Sequence, residues 1–199
     1  MARKTGDKYH AIIEAAVKVF AENGYHNSQV SKIAREAGVA DGTIYLYFQN
    51  KEDILISVFK VKMGDFIAQV KRELDGYGTP PEKLKHLVRM HFSILESDRN
   101  LALFMQIQLR QSHPDVRRAI AEPLREYFRL IEGILREGIE AGDFHGNLDV
   151  RVARQMVFGT MDEVATCWVM SRQKYSLAKQ LEPVYFLLSR GIFKNRADA

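Results

Sequence analysis

Residues 28–51 read SQVSKIAREAGVADGTIYLYFQNK, and the organisation of the whole chain follows from this stretch. Val30, Ile33, Ala34 and Ala37 fall at i, i+3, i+4 and i+7, so a two-turn helix buries one narrow stripe and leaves Gln29, Lys32 and Arg35 outside. Ser28 is a candidate N-cap, and Ser31, three residues on, can weakly imitate the reciprocal half of a capping box. Gly38 stands where a left-handed residue closes a helix, Val39 resumes the apolar pattern, and Asp41 can cap the helix that follows. Two short helices about a glycine turn, followed by a third that opens at Lys51, form a helix-turn-helix signature.

The second of these helices carries the reading surface. With Ile44 facing inward, a rotation of about 100° per residue sets Phe48 beside it, turns Gly42, Thr43 and Leu46 outward, and puts Tyr45 and Tyr47 on the flanks. Gly42 allows close backbone approach, while Thr43, Tyr45 and Tyr47 offer hydroxyls to phosphate oxygens or base edges. Leu46 points away from its own core and needs an apolar cover; a thymine methyl in a major groove would supply one. Lys51 sets a cation and free backbone N–H groups where a phosphate could bind. With Ser28, Gln29 and Lys32, these residues make up the candidate DNA face.

Upstream, residues 1–6 read as a mobile basic arm with Arg3 and Lys4 free for phosphates. Tyr9, Ile12, Ile13, Ala16, Val17 and Phe20 then form the stripe of a bracing helix that ends before Asn23-Gly24. Downstream, Asn50 caps a long helix whose apolar residues, Leu55, Phe59, Met63, Phe66, Val70 and Leu74, recur every three or four positions. Gly76, Gly78, Pro80 and Pro81 break it. Further helices are expected over about 81–96, 101–111, 114–141 and 150–168, the last capped by Asp149 after a turn at 142–147. A final helix spans 176–193, kinked or delayed by Pro183. No alternating strand pattern competes, so the fold class is all-α, divided into a DNA-binding segment at 1–50 and a helical ligand-binding and dimerisation segment at 51–199.

Of 29 Lys and Arg against 25 Asp and Glu, seven and five lie in residues 1–51, so the basic excess is concentrated there, though too weakly to establish nucleic-acid binding by itself. The one cysteine, Cys167, can form no internal disulfide and reads as a buried structural thiol in a reducing compartment. Met1–Lys8 is polar with no apolar run behind it, and no stretch is suited to crossing a bilayer, so a cytoplasmic protein is expected. His86 and His91 are five apart and share no ligating face, and neither HExxH nor CxxC occurs, which argues against a metal. Asp162 and Glu163 point about 100° apart on a helix and make no acid–base pair. There is no phosphate loop and no nucleophile elbow, so neither an enzyme nor a resident cofactor is expected.

The C-terminal part is dense in Met and Phe, which first of all means core; the same residues also line adaptable apolar cavities. A basic series, Arg72, Arg89, Arg99 and Arg110, is interleaved with them, and guanidinium at the mouth of an apolar cavity would suit an amphipathic anion. The candidate lining comprises Phe59, Met63, Arg89, Phe92, Leu95, Phe104, Gln108, Arg110, Tyr127, Ile131 and Met156.

The segment from Ala16 to Leu55 resembles the TetR family of bacterial transcriptional regulators, in Phe20, Gly24, Ile33, Ala34, Ala37, Gly38, Val39, Gly42, Tyr45, Tyr47, Phe48, Lys51 and Leu55 together. It departs at Ala40, where the family more often has a capping serine. With LDVRVARQMVFGTMDE at 148–163, the chain is similar to the TetR-type regulators of fatty-acid degradation, which respond to long-chain acyl-CoA. The resemblance implies a repressor, a homodimer joined through its last two helices (about 149–174 and 176–193), and an operator with two half-sites about 34–36 Å apart. It also implies release by long-chain acyl-CoA through the fourth helix. A multidrug-type repressor answering another hydrophobic molecule is the alternative within the family; an enzyme or lipid carrier would leave the exposed reading surface without purpose.

Overall fold

The computed structural model describes residues 2–108 and 114–194, with side chains placed for all of these except 2–5, 108 and 115. Among them nine α-helices follow one another: α1 (Ala2–Asn27), α2 (Val30–Glu36), α3 (Asp41–Ile44), α4 (Lys51–Leu74), α5 (Pro80–Ser97), α6 (Arg99–Gln108), α7 (Pro114–Glu140), α8 (Val150–Met170) and α9 (Leu181–Ile192). The only pairing of strand type among the described residues is an isolated bridge between Phe144 and Phe193, so the all-α expectation holds. Two compact units emerge, Met1–Gly64 with Asn100–Pro123, and Asp65–Arg99 with Leu124–Ala199. These units differ from the expected division at residue 50: packing groups the start of α4, α6 and the start of α7 with the motif.

In the first unit the bracing stripe of α1 is buried as expected, with Ile12, Ile13, Ala16, Val17 and Phe20 in one core with Ile33, Ala34, Ile44, Phe48, Leu55 and Phe59. Phe104, Met105, Val116 and Ile120, more than forty residues away in sequence, complete that core. α1 begins at Ala2, so the backbone of the expected mobile arm is helical; the side chains of Arg3 and Lys4 lie outside the described set. Near its end Gly24 adopts φ 72° and turns the chain. Gly38, at φ 66°, closes α2 as expected. Its N–H donates to the Arg35 carbonyl at 3.2 Å and the Val39 N–H to the Ala34 carbonyl at 3.0 Å, the pair of bonds of a Schellman close.

Two of the expected caps are absent. Gln29, not Ser28, is the N-cap of α2, and Ala40, not Asp41, that of α3; neither makes a side-chain capping bond. Ser28 instead turns inward, its Oγ donating to the carbonyls of Gly24 at 2.6 Å and Val19 at 3.1 Å. Asp41 is one position too late, inside the first turn. Asn50 does cap α4, Oδ1 accepting from the Asp53 N–H at 2.8 Å while the Asp53 carboxylate accepts from the Gln49 N–H at 3.0 Å.

In the second unit α5 starts at a full capping box, Thr79 with Glu82, followed by prolines. Asp149 caps α8 through the N–H groups of Arg151 and Val152. Pro183 delays the last helix: a 3₁₀ turn at Ala178–Gln180 precedes α9, and the proline then sits in its first turn. The Glu96 carboxylate accepts from the N–H groups of Leu177 and Ala178 at 2.9 and 3.2 Å and so fixes that turn. Leu87, Phe92, Tyr127, Ile131, Phe144 and Met161 are among its buried side chains. Cys167, expected in the core, is exposed on α8; its thiol donates to the Glu163 carboxylate at 3.3 Å, which raises its pKa.

Candidate nucleic-acid interface

α3 is a single turn, and the residues after it tighten rather than continue it. The N–H groups of Leu46 and Tyr47 donate three residues back, to Thr43 at 3.2 Å and Ile44 at 3.0 Å. The expected directions nonetheless hold: Ile44 and Phe48 are buried, Gly42 is exposed, Thr43 and Tyr47 are half-buried, and Tyr45 and Leu46 are 59 % and 80 % exposed. A Cβ built on Gly42 would meet no other atom within 4 Å, so the backbone there is open to close approach. Tyr9 of α1, read from the sequence only as a core residue, stacks on Phe48 at 5.3 Å and leans on Tyr47 at 6.2 Å, holding that flank of the surface in place.

The other expected DNA contacts divide into exposed and internal ones. Gln29 is exposed, and the half-buried Lys32 reaches Asn23 Oδ1 at 3.1 Å. Ser28 is buried, and Lys51, expected to face a phosphate, directs its ammonium back to the carbonyls of Tyr25, His26 and Ser28 at 2.8, 3.1 and 3.0 Å. The same Nζ sits 4.6 Å from the centre of the Tyr25 ring. Those two side chains are therefore committed to the protein's own backbone.

The expected effector lining is distributed over both units. Phe59, Met63 and Phe104 belong to the core of the first; the side chain of Gln108 and the whole of Arg110 lie outside the described residues. In the second, Phe92, Leu95, Tyr127 and Ile131 are buried, Arg89 is exposed, and Met156 is 38 % exposed beside Gly191. His91 Nδ1 lies 3.1 Å from the Tyr127 hydroxyl, among the rings of Phe66, Phe92 and Phe158. Burial lowers the His91 pKa to about 4 and pushes the Tyr127 phenol far up, so both are neutral at pH 7. Among the described residues Lys71, Lys83 and Arg129, together with Asp75 and Glu137, line a groove of about 540 Å³ with Leu74, Leu130 and Ile134. Lys71 pairs with Glu126 at 2.7 Å and Lys83 with Glu137. No helix of the described residues is long and apolar enough to cross a membrane.

Residues 12–58 match the family described as bacterial regulatory proteins, tetR family, and residues 59–191 match the C-terminal region of YsiA-like proteins. The chain belongs to the TetR family. It is 56 % identical over 185 residues to the fatty acid metabolism regulator protein of Bacillus subtilis, covering 93 % of this chain and 95 % of that one. The crystal structure of the transcriptional regulator FadR from Bacillus subtilis in complex with stearoyl-CoA superposes with a TM-score of 0.89 at 55 % identity, over 92 % of this chain and 99 % of the other. The fatty acid degradation regulator FadR from Bacillus halodurans gives 0.87 at 53 %, over 90 % and 97 %. As a TetR-family member the chain is a transcriptional regulator.

Proposed function

We propose that this chain is a cytoplasmic repressor of fatty-acid-degradation genes that binds a palindromic operator as a homodimer and leaves it when long-chain acyl-CoA binds. The observation that carries the reading is the likeness, over nine-tenths of both chains, to a regulator crystallised with stearoyl-CoA. Gly42, Thr43, Tyr45, Leu46 and Tyr47 read the major groove, with Gln29 and Lys32 beside them. Buried Phe92, Leu95, Tyr127 and Ile131 supply apolar surface for an acyl chain, and the groove with Lys71, Lys83 and Arg129 supplies cations for its phosphates. The ligand acts by binding the DNA-free conformation more tightly than the DNA-bound one. The dimer forms through α8 and α9, whose exposed Val152, Met156, Met170, Phe186 and Leu187 give an apolar face.

The test is an operator selection with the purified chain, followed by fluorescence-anisotropy titration of the bound operator with stearoyl-CoA, free CoA and a planar cationic drug. Release by stearoyl-CoA alone is expected. Release by the drug and not by acyl-CoA would replace this reading with a multidrug-type regulator, and selection of no DNA would remove the repressor role altogether.

A further inference from the structure

A neutral imidazole carries one donor and one acceptor. In His91 the Nδ1 atom lies 3.1 Å from the Tyr127 hydroxyl, while Nε2 is buried and meets no hydrogen-bond partner among the described residues. If Nδ1–H donated to the phenol oxygen, two groups would stay unmet, the phenol hydrogen and the Nε2 lone pair. With the phenol donating to Nδ1 only one does, the Nε2–H, which is then a neutral donor in want of an acceptor. The surroundings narrow what that acceptor is. Phe66 of α4, Phe92 of α5 and Tyr127 of α7 meet the imidazole at 6.0–6.1 Å between ring centres, and Phe158 of α8 packs edge-on against Tyr127. These contacts are aromatic and bring no cation, and burial lowers the His91 pKa to about 4. A carboxylate drawn in here would shed its water and gain no counter-charge, whereas a neutral carbonyl oxygen can be buried and paired. His86, also buried on α5, has a different setting, with its Nε2 2.9 Å from the Glu73 carboxylate.

We propose that His91 is a specificity-determining residue of the effector site, whose Nε2–H donates to the thioester carbonyl oxygen of the bound acyl-CoA. The assignment rests on acyl-CoA as the effector, with its chain against buried Phe92, Leu95, Tyr127 and Ile131. A saturated chain has no acceptor of its own, and the thioester carbonyl is the neutral oxygen joined directly to it. Tyr127 fixes the tautomer, and the Nε2–H fixes where the head of the chain comes to rest. Ligands are thereby told apart by the group at the head of the chain as well as by its length. A thioether, with a methylene in place of the carbonyl, leaves the donor unmet, and a site built to bond an oxygen rejects the analogue that lacks it. Free stearate is rejected for its charge.

Isothermal titration of the full chain with stearoyl-CoA and with its thioether analogue, S-octadecyl-CoA, reads the bond directly. The wild type is expected to bind the thioether about tenfold more weakly. His91→Phe, which keeps an aromatic ring and removes the donor, is expected to bind the two ligands alike. Infrared difference spectra of the wild-type chain with stearoyl-CoA isotope-labelled at the thioester carbonyl need no variant. There the carbonyl band is expected below its position in hydrocarbon solvent, and in His91→Phe back at that position. Equal wild-type affinities for the two ligands, a wild-type band at the hydrocarbon position, or a displaced band that persists in His91→Phe would each overturn the proposal and leave acyl-CoA standing as the effector. Failure of stearoyl-CoA to bind the wild type would overturn both.

Discussion

A leucine that is four-fifths exposed in the first unit and a histidine that is buried in the second make opposite demands on their surroundings. Leu46 contributes nothing to its own core. Leu46→Ala should leave thermal stability unchanged and relax preference at one base pair of the selected operator, whereas an unchanged selected motif would remove the thymine contact. His91 is held neutral by its surroundings. In the unfolded chain it takes a proton as pH falls through about 6.5, while in the folded protein it resists until about 4, so stability is lost across that window and the loss levels off below it. The pKa difference corresponds to up to about 3 kcal/mol. In urea titrations the destabilisation caused by His91→Gln should therefore shrink between pH 7 and pH 4.5; a pH-independent difference would mean that water reaches the ring.

At the scale of single elements, helix ends differ in how far local sequence determines them. Asn50 and Asp149 are caps that sequence spacing finds, because each stands directly before an apolar period and nothing else competes for its side chain. Ser28 has the right chemistry but a stronger alternative, two carbonyls of the bend made by Gly24, and no local pattern shows that bend coming back within reach. The carbonyl partners of Lys51 are hidden for the same reason, since they lie more than twenty residues away along the chain. The inward and outward directions on α3 were legible even though the helix is only one turn long, since the tighter turn that follows preserves them. Gly138 of α7 shows another hidden constraint, as an added Cβ would lie 2.2 Å from the Phe144 ring. Phe144 stacks on Phe193 at 5.0 Å, so it has little room to retreat. Gly138→Ala should cost about 1–3 kcal/mol by overpacking despite its better helix propensity, measured by chemical denaturation; a stabilised variant would show that the ring moves freely.

At the scale of the molecule, family membership was legible from one segment because many of its positions are set by a single local geometry. The effector lining was not, because apolar helical residues at the same spacing serve a core and a cavity alike, as Phe59 and Phe104 in the first core illustrate. Met156 belongs to a third use, on the outer face of α8 beside a groove of about 470 Å³ lined also by Gln155, Gly159, Thr160, Glu163 and Val164. If that face pairs two copies, Phe186→Asp on the neighbouring α9 should convert the dimer to monomers in analytical ultracentrifugation and abolish binding to a two-half-site operator; dimers that persist would place the interface elsewhere.

The core under the reading surface is closed by Phe104, Met105, Val116 and Ile120, with Phe104 stacked on Phe20 at 6.1 Å. During synthesis, then, the first residues to leave the ribosome are not the first to be finished. A chain cut after Gly64 contains every residue proposed to touch DNA and none of these four plugs, and it should show loose side-chain packing by NMR and bind operator poorly. A chain cut after Pro123 has the plugs and should not share that defect. A cooperatively folded 1–64 fragment would overturn this order of assembly. The nascent regulator thus passes through a stage in which its DNA-reading residues exist without a scaffold to aim them, and it gains that scaffold only from sequence that follows the long fourth helix.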